Sequence, residues 1–198
     1  MARTKGFDPD TVLHSALELF WERGYEATSM ADLVARLGVA RASIYATFGG
    51  KHELYLKALE RYLETADPDI MTALSQPGPV LPALRALVGS YAEQSAGEDR
   101  RGCMVVNAAV ELAPHDPAAA RFVESSWSHL ETALTSALVR AQARGELADA
   151  KDPRAIARLL LVLLQGMRVL GRERLGRDAG VGSGAAGDED DLVGESHG

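Results

Sequence analysis

The sequence predicts an all-α protein, with a small N-terminal three-helix domain followed by a larger C-terminal helical domain. Apolar residues recur at helical spacing in one segment after another, and no useful length of chain alternates apolar and polar residues as a half-buried strand would. Gly, Pro and cap-forming residues fall between these segments, where helices must begin or end. The 198 residues, 46% of them hydrophobic, are enough to bury a real core.

The first helix is announced by Asp8-Pro9, an aspartate N-cap followed by proline at a position whose N–H would be unpaired anyway. Val12, Leu13, Ala16, Leu19 and Phe20 form its apolar stripe through Arg23, and Gly24 stops it. Thr28 or Ser29 caps a second helix, with Asp32 in capping-box position after Ser29 and Leu33, Val34 and Leu37 on the buried face. Gly38 supplies a tight turn, and a short third helix covers residues 40–47. Gly49-Gly50 breaks the chain again before a helix from Lys51 to near Thr65, lined by Leu54, Tyr55, Ala58, Leu59 and Tyr62. Asp67-Pro68 and Gln76-Pro77-Gly78-Pro79 bracket a connector in which the helicity of residues 70–74 is open. Helices are then expected over residues 80–96, 103–112, 118–144 and 153–175. From Arg177 the chain is mostly Gly, Ala, Asp and Glu, a composition expected to be disordered. The domains are therefore 1–50, 51–176 and an acidic tail, 177–198.

Charge distribution matters more here than the net value of −7. Residues 1–61 carry 8 basic and 8 acidic side chains, whereas the tail carries 1 and 6. A neutral N-terminal domain can still meet a polyanion if its basic groups share a face. Nothing resembles an export signal, and the longest apolar run, near Leu159, is interrupted by Gln165 and Arg168, too short to span a bilayer. The single cysteine, Cys103, excludes an intrachain disulfide framework. A cytoplasmic protein without membrane attachment is expected.

The stretch Thr28 to Leu54 carries the functional reading. Two short helices joined by Leu37-Gly38-Val39 suit a helix-turn-helix whose second helix enters a DNA major groove. Thr28 and Ser29 place hydroxyls at a helix start that attracts phosphate, and Lys51 adds a full positive charge at another. Between them stand Arg41, Ala42, Ser43, Tyr45 and Thr47. Arginine reads guanine O6/N7 bidentately, hydroxyls suit phosphates or base edges, and a small alanine permits close approach. The short N-terminal arm, with Arg3 and Lys5, could follow the minor groove, although disordered basic arms are common.

Residues 8–54 resemble the DNA-binding domain of TetR-family transcriptional regulators, through ALELFWERGYEATSMADLVARLGVARASIY, then Phe48 and Gly-Gly-Lys-His-Glu-Leu. The resemblance implies an all-helical homodimer placing one reader on each half of a pseudo-palindromic double-stranded operator. It implies backbone contacts from Thr28 and Ser29, base contacts from Arg41, Ala42 and Ser43, and phosphate contacts from Tyr45, Thr47 and Lys51. Where family members often carry a capping serine this chain has Ala40, so a cap of about 1 kcal/mol is expected to be absent.

The C-terminal half is expected to dimerise and to sense. The run from Leu159 to Leu164 is apolar around the whole helix, which calls for a neighbouring helix on one side and a partner subunit on the other. Paired with the stripe Leu130, Leu134, Leu138 and Ala141, it suggests a four-helix bundle between symmetry mates. A small-molecule pocket would lie between the middle helices, with Tyr91, Cys103, Asn107, Glu111, Trp127 and His129 as candidate lining residues. Each also has a plain structural reading as core or surface. Cys103 follows Arg100-Arg101-Gly102 and opens a helix, which invites a redox reading, although free cysteine is most often a small buried hydrophobe.

No cofactor, metal site or catalytic residue is expected: the five histidines are scattered, and no nucleophile motif or phosphate-cradling loop occurs. The expectation is a ligand-responsive repressor released from its operator by a small-molecule effector. An activator using the same reader, or a helical protein-interaction adaptor, are the alternatives; the adaptor would lack steep salt-dependent binding to duplex DNA.

Overall fold

The computed structural model describes residues 6–96 and 101–181, with side chains at 66–69 and 171–181 left aside. Eight helices occupy the described residues: α1 (Pro9–Arg23), α2 (Met30–Leu37), α3 (Arg41–Phe48), α4 (Lys51–Ser75), α5 (Val80–Ala96), α6 (Met104–Glu111), α7 (Pro117–Ala143) and α8 (Pro153–Val181). The arm bearing Arg3 and Lys5 lies outside the described residues.

Local chemistry accounts for most helix ends. The Asp8 carboxylate accepts from Asp10 and Thr11 N–H at the start of α1, with Pro9 in the first position. Ser29 and Asp32 form the reciprocal capping box of α2. Asp116 accepts from Ala118 and Ala119 N–H and so caps α7 ahead of Pro117. Ala40, as expected, gives α3 no side-chain cap.

Two expectations require correction. The fourth helix does not stop near Thr65: α4 runs through Pro68 to Ser75. Its C-terminal turns bury Leu74, against which Ile70 and residues of α7 and α8 pack, and this offsets the hydrogen bond a proline removes. Likewise, the tail does not begin at Arg177, because α8 continues to Val181; residues 182–198 lie outside the described part.

Two apolar clusters build the core. The first gathers Phe20, Leu33, Ile44, Phe48, Leu54, Tyr55 and Leu59 with Cys103, Met104 and Ala108, so the three N-terminal helices share one core with α4 and α6. Packing therefore does not divide at residue 50. The second cluster unites the end of α4 with α5, α7 and α8 around Leu84, Tyr91, Leu134, Leu138 and Leu164.

Candidate DNA-binding interface and sensing cavity

In α3, Ile44 and Phe48, one turn apart, are buried, anchoring the helix to the first core. The opposite face is open: Arg41 and Ala42 are exposed, and Tyr45 is 51% exposed. Ser43 and Thr47 are half-buried at the edges. The outward face thus combines a guanidinium, a small residue and hydroxyls, the chemistry that a groove-reading helix needs. Gly49 and Gly50 then reverse the chain at φ 97° and 150°; a Cβ on either would come within 3.1 Å of Glu53, so the tight entry to α4 depends on glycine.

The flanking residues fall differently. Ser29 is exposed, but its hydroxyl already bonds to Asp32 in the capping box. The Lys51 ammonium sits 4.1 Å from the centre of the Tyr25 ring, a cation–π contact beside the start of α4. Thr28 is a correction. It is completely buried, and its hydroxyl donates to the Gly24 carbonyl at 2.7 Å. That hydroxyl staples the turn between α1 and α2 from within and is turned away from any phosphate.

The six candidate effector residues do not share one cavity. Tyr91, Cys103 and Trp127 do, together with Tyr62, Met71, Val105, Gln165 and Arg168 from α4, α6 and α8. The enclosed space is about 20 Å³, room for roughly one water molecule. His129 instead opens on a separate groove with Ser75, Thr132 and Arg140. Asn107 donates to the Arg101 carbonyl at 3.1 Å. Glu111 accepts the Tyr25 and Glu26 N–H groups, each at 3.0 Å. Asn107 and Glu111 are thus bonded to backbone partners, and His129 lines the neighbouring groove rather than this cavity.

Arg168, not among the expected lining residues, dominates the cavity. Its Nη1 donates to Cys103 Sγ at 2.8 Å, and the guanidinium lies 4.3 Å from the centre of the Tyr91 ring. Burial works against its charge, but Cys103, Tyr91 and Tyr62 outweigh that and raise its pKa. Tyr62, whose hydroxyl donates to the same sulfur at 3.7 Å, has its pKa pushed well up by burial. Trp127 Nε1 and Gln165 Oε1 are buried without a hydrogen-bond partner. The signal was present in the sequence, since Gln165 and Arg168 are the polar interruptions, one turn apart, in an otherwise apolar stretch.

The N-terminal helices and the cavity are tied together. Trp21 Nε1 donates to the Gly102 carbonyl at 2.8 Å, and Arg101 both pairs with Glu18 at 2.6 Å and covers the Trp21 ring. His52 at the start of α4 bonds to Asp116 ahead of α7.

An open α3 face on a helix-turn-helix, joined through shared core to a helical body with a polar cavity, defines a DNA-binding regulator. Residues 12–58 match the family of bacterial regulatory proteins called tetR, and residues 80–179 match the tetracyclin repressor-like C-terminal domain. The chain belongs to the TetR family of DNA-binding transcriptional regulators. It is 41% identical over 162 residues to the uncharacterized regulator YezE of Bacillus subtilis (strain 168), covering 81% of this chain and 84% of that protein. Identity to the repressor ComR of Escherichia coli (strain K12) is 34% over 173 residues, covering 86% and 82%. Among solved structures, a cysteine mutant of the TetR-family regulator CifR complexed with 26bp double-strand operator DNA is similar, with a TM-score of 0.77 and 27% identity, covering 90% and 93%. Such relatives are regulators rather than enzymes. No described helix is long and apolar enough to cross a membrane.

Proposed function

We propose that this regulator is a homodimeric repressor that binds a pseudo-palindromic operator and leaves it when a small effector enters the Arg168 cavity. The open face of α3 is the observation that carries the DNA half of this reading. On it, Arg41 contacts a base edge, Ala42 and Ser43 approach the groove floor, and Tyr45, Thr47 and Lys51 engage flanking phosphates, with the exposed Ser29 at the start of α2. Lys51 leaves the Tyr25 ring to do so, at a cost of about 0.5–1 kcal/mol, which a phosphate contact offsets.

Dimerisation is supported by α8. Leu159 is 62% exposed, Val162 69% and Leu170 59%, and with Leu163 and Gly166 they form a stripe at helical spacing. A Cβ built on Gly166 meets nothing within 4 Å, which leaves room for a close-packed partner helix. Two copies joined along this stripe present two α3 helices, whose separation must be about 34–36 Å to meet successive major grooves.

Sensing is supported by the cavity's unmet polar atoms. Trp127 Nε1 seeks an acceptor, Gln165 Oε1 seeks a donor, and no carboxylate pairs with Arg168 among the described residues. With space for roughly one water, the cavity must expand to admit an effector, so binding moves α4, α6 or α8 relative to α1. A second form of sensing is favoured by the place of Cys103 in the cavity, where its sulfur accepts from Arg168 and Tyr62, so that oxidation of the sulfur by peroxide would disturb both contacts. Loss of DNA binding under peroxide, abolished by Cys103→Ser, supports that form; an unchanged response ends it.

Selection of bound sequences from random duplex DNA tests the reading as a whole. A two-fold symmetric consensus, bound with steep salt dependence, is the expected product. Failure to enrich any sequence would leave the reading without support.

A further inference from the structure

We infer that Glu111 is a positioning residue that, beside the shared core and the Trp21 and Arg101 contacts, sets the distance and angle at which the C-terminal body holds the DNA-reading helices, an inference that rests on the operator-binding dimer proposed above. Glu111 ends α6, and its two carboxylate oxygens accept separate backbone N–H groups, Oε2 from Tyr25 and Oε1 from Glu26, each at 3.0 Å. The donors lie 86 and 85 residues away in sequence, in the turn that carries the chain from α1 into α2. Hydrogen bonds to an ionised acceptor are about twice as strong as neutral ones, and two of them to adjacent residues fix orientation as well as distance. No cation pairs with Glu111 among the described residues, so its charge is committed to this turn.

The turn is shaped to receive that carboxylate. Gly24, at φ +88°, lies so close that a Cβ there would stand 2.9 Å from both Glu111 oxygens. From the inside, Thr28 Oγ1 donates to the Gly24 carbonyl at 2.7 Å, making residues 24–28 a stapled unit. Ser29, the next residue, is the N-cap of α2. A displacement of Glu111 therefore reaches α2, and with it α3, without passing through a soft linker.

The other end of α6 lies at the cavity. Cys103, its N-cap, and Val105 line the cavity, and Gly102 and Arg101 just before them bond to Trp21 and Glu18 of α1. At eight residues, α6 is a rod about 12 Å long, with one end beside Arg168 and the other gripping the entry to the reader. Cavity expansion that tilts this rod changes the separation of the two readers in the dimer.

The test uses the full-length dimer and duplexes in which the selected half-sites are separated by the consensus spacer or by one base pair more or less. Wild type is expected to prefer its own spacer. Glu111→Ala is expected to bind the consensus about tenfold more weakly and to bind all spacers nearly alike. Glu111→Gln, retaining one acceptor oxygen, falls between. Gly24→Ala, which pushes on the carboxylate from the turn side, reproduces the loss of spacer preference, and the double variant is no worse than the poorer single one. Loss of stability alone would lower binding to every spacer in proportion and leave the preference intact. A folded, dimeric Glu111→Ala with wild-type spacer preference overturns the inference, as does rapid hydrogen exchange at the Tyr25 and Glu26 amides of wild type. Wild type that recognises no duplex would instead remove the operator reading, and this inference with it.

Discussion

Arg41 and Thr28 show how differently two side chains of one motif are used. Arg41 stands exposed at the first turn of α3, where nothing among the described residues competes for the guanidinium. Arg41→Ala is expected to cost about 1–3 kcal/mol of specific binding and to relax preference at one base position, while non-specific binding changes little; titration against consensus and scrambled duplexes checks this. Thr28 serves stability instead. Thr28→Val keeps the shape but leaves the buried Gly24 carbonyl without its donor, and is expected to cost about 1–2 kcal/mol in urea unfolding. Operator affinity measured well below the unfolding transition should change far less than in Arg41→Ala.

Carboxylates at helix starts set how the elements respond to acid. Asp8 is held below its ordinary value by the Thr11 hydroxyl and the Asp10 N–H, and Asp32 by the Ser29 hydroxyl and N–H. At Asp116 burial pushes upward, but the bonds from His52 and from the Ala119 and Ala118 N–H groups prevail and lower the pKa. Each group binds its proton less readily folded than unfolded. Its contribution is thus present above the ordinary value of 3.8 and is lost as pH falls through the folded one. Stability should fall as pH drops below about 4, and Asp116→Asn should flatten that fall while lowering stability at neutral pH. Urea midpoints across the range check both statements. Asp116 also joins α7 to α4 through His52, so its loss should loosen α4 from α7 as well as uncap α7.

For the whole molecule, the proposed dimer turns modest half-site contacts into useful affinity. Placing a charge in the exposed stripe of α8, as in Val162→Glu, should yield a folded monomer. Operator affinity should then drop by about 10²–10⁴, because the second half-site no longer benefits from tethering. Sedimentation and gel-shift titration on one preparation check the pair of effects, and a monomer with wild-type affinity would refute the two-reader arrangement. The shared core of α1, α4 and α6 makes the rest of the molecule an active part of this arrangement, since the readers have no independent apolar interior.

The helix starts and breaks of the N-terminal third were legible from local sequence: Asp8-Pro9, the Ser29–Asp32 box, the Gly49-Gly50 break and helical periodicity all act within about four residues, a range over which identity and spacing suffice. The outward group Arg41, Ala42 and Tyr45 was legible for the same reason, as the complement of the buried Ile44 and Phe48. Tertiary structure decided whatever depended on which surfaces meet. It carried α4 through Pro68 because the following turns find partners in α7 and α8, and it turned Thr28 inward. It moved Glu111 from a ligand candidate to the α1–α2 turn, and brought Arg168 against Cys103, 65 residues away. Such pairings follow from the path of the whole chain, because a buried polar group pairs with whichever donor or acceptor the packing of distant helices delivers to it.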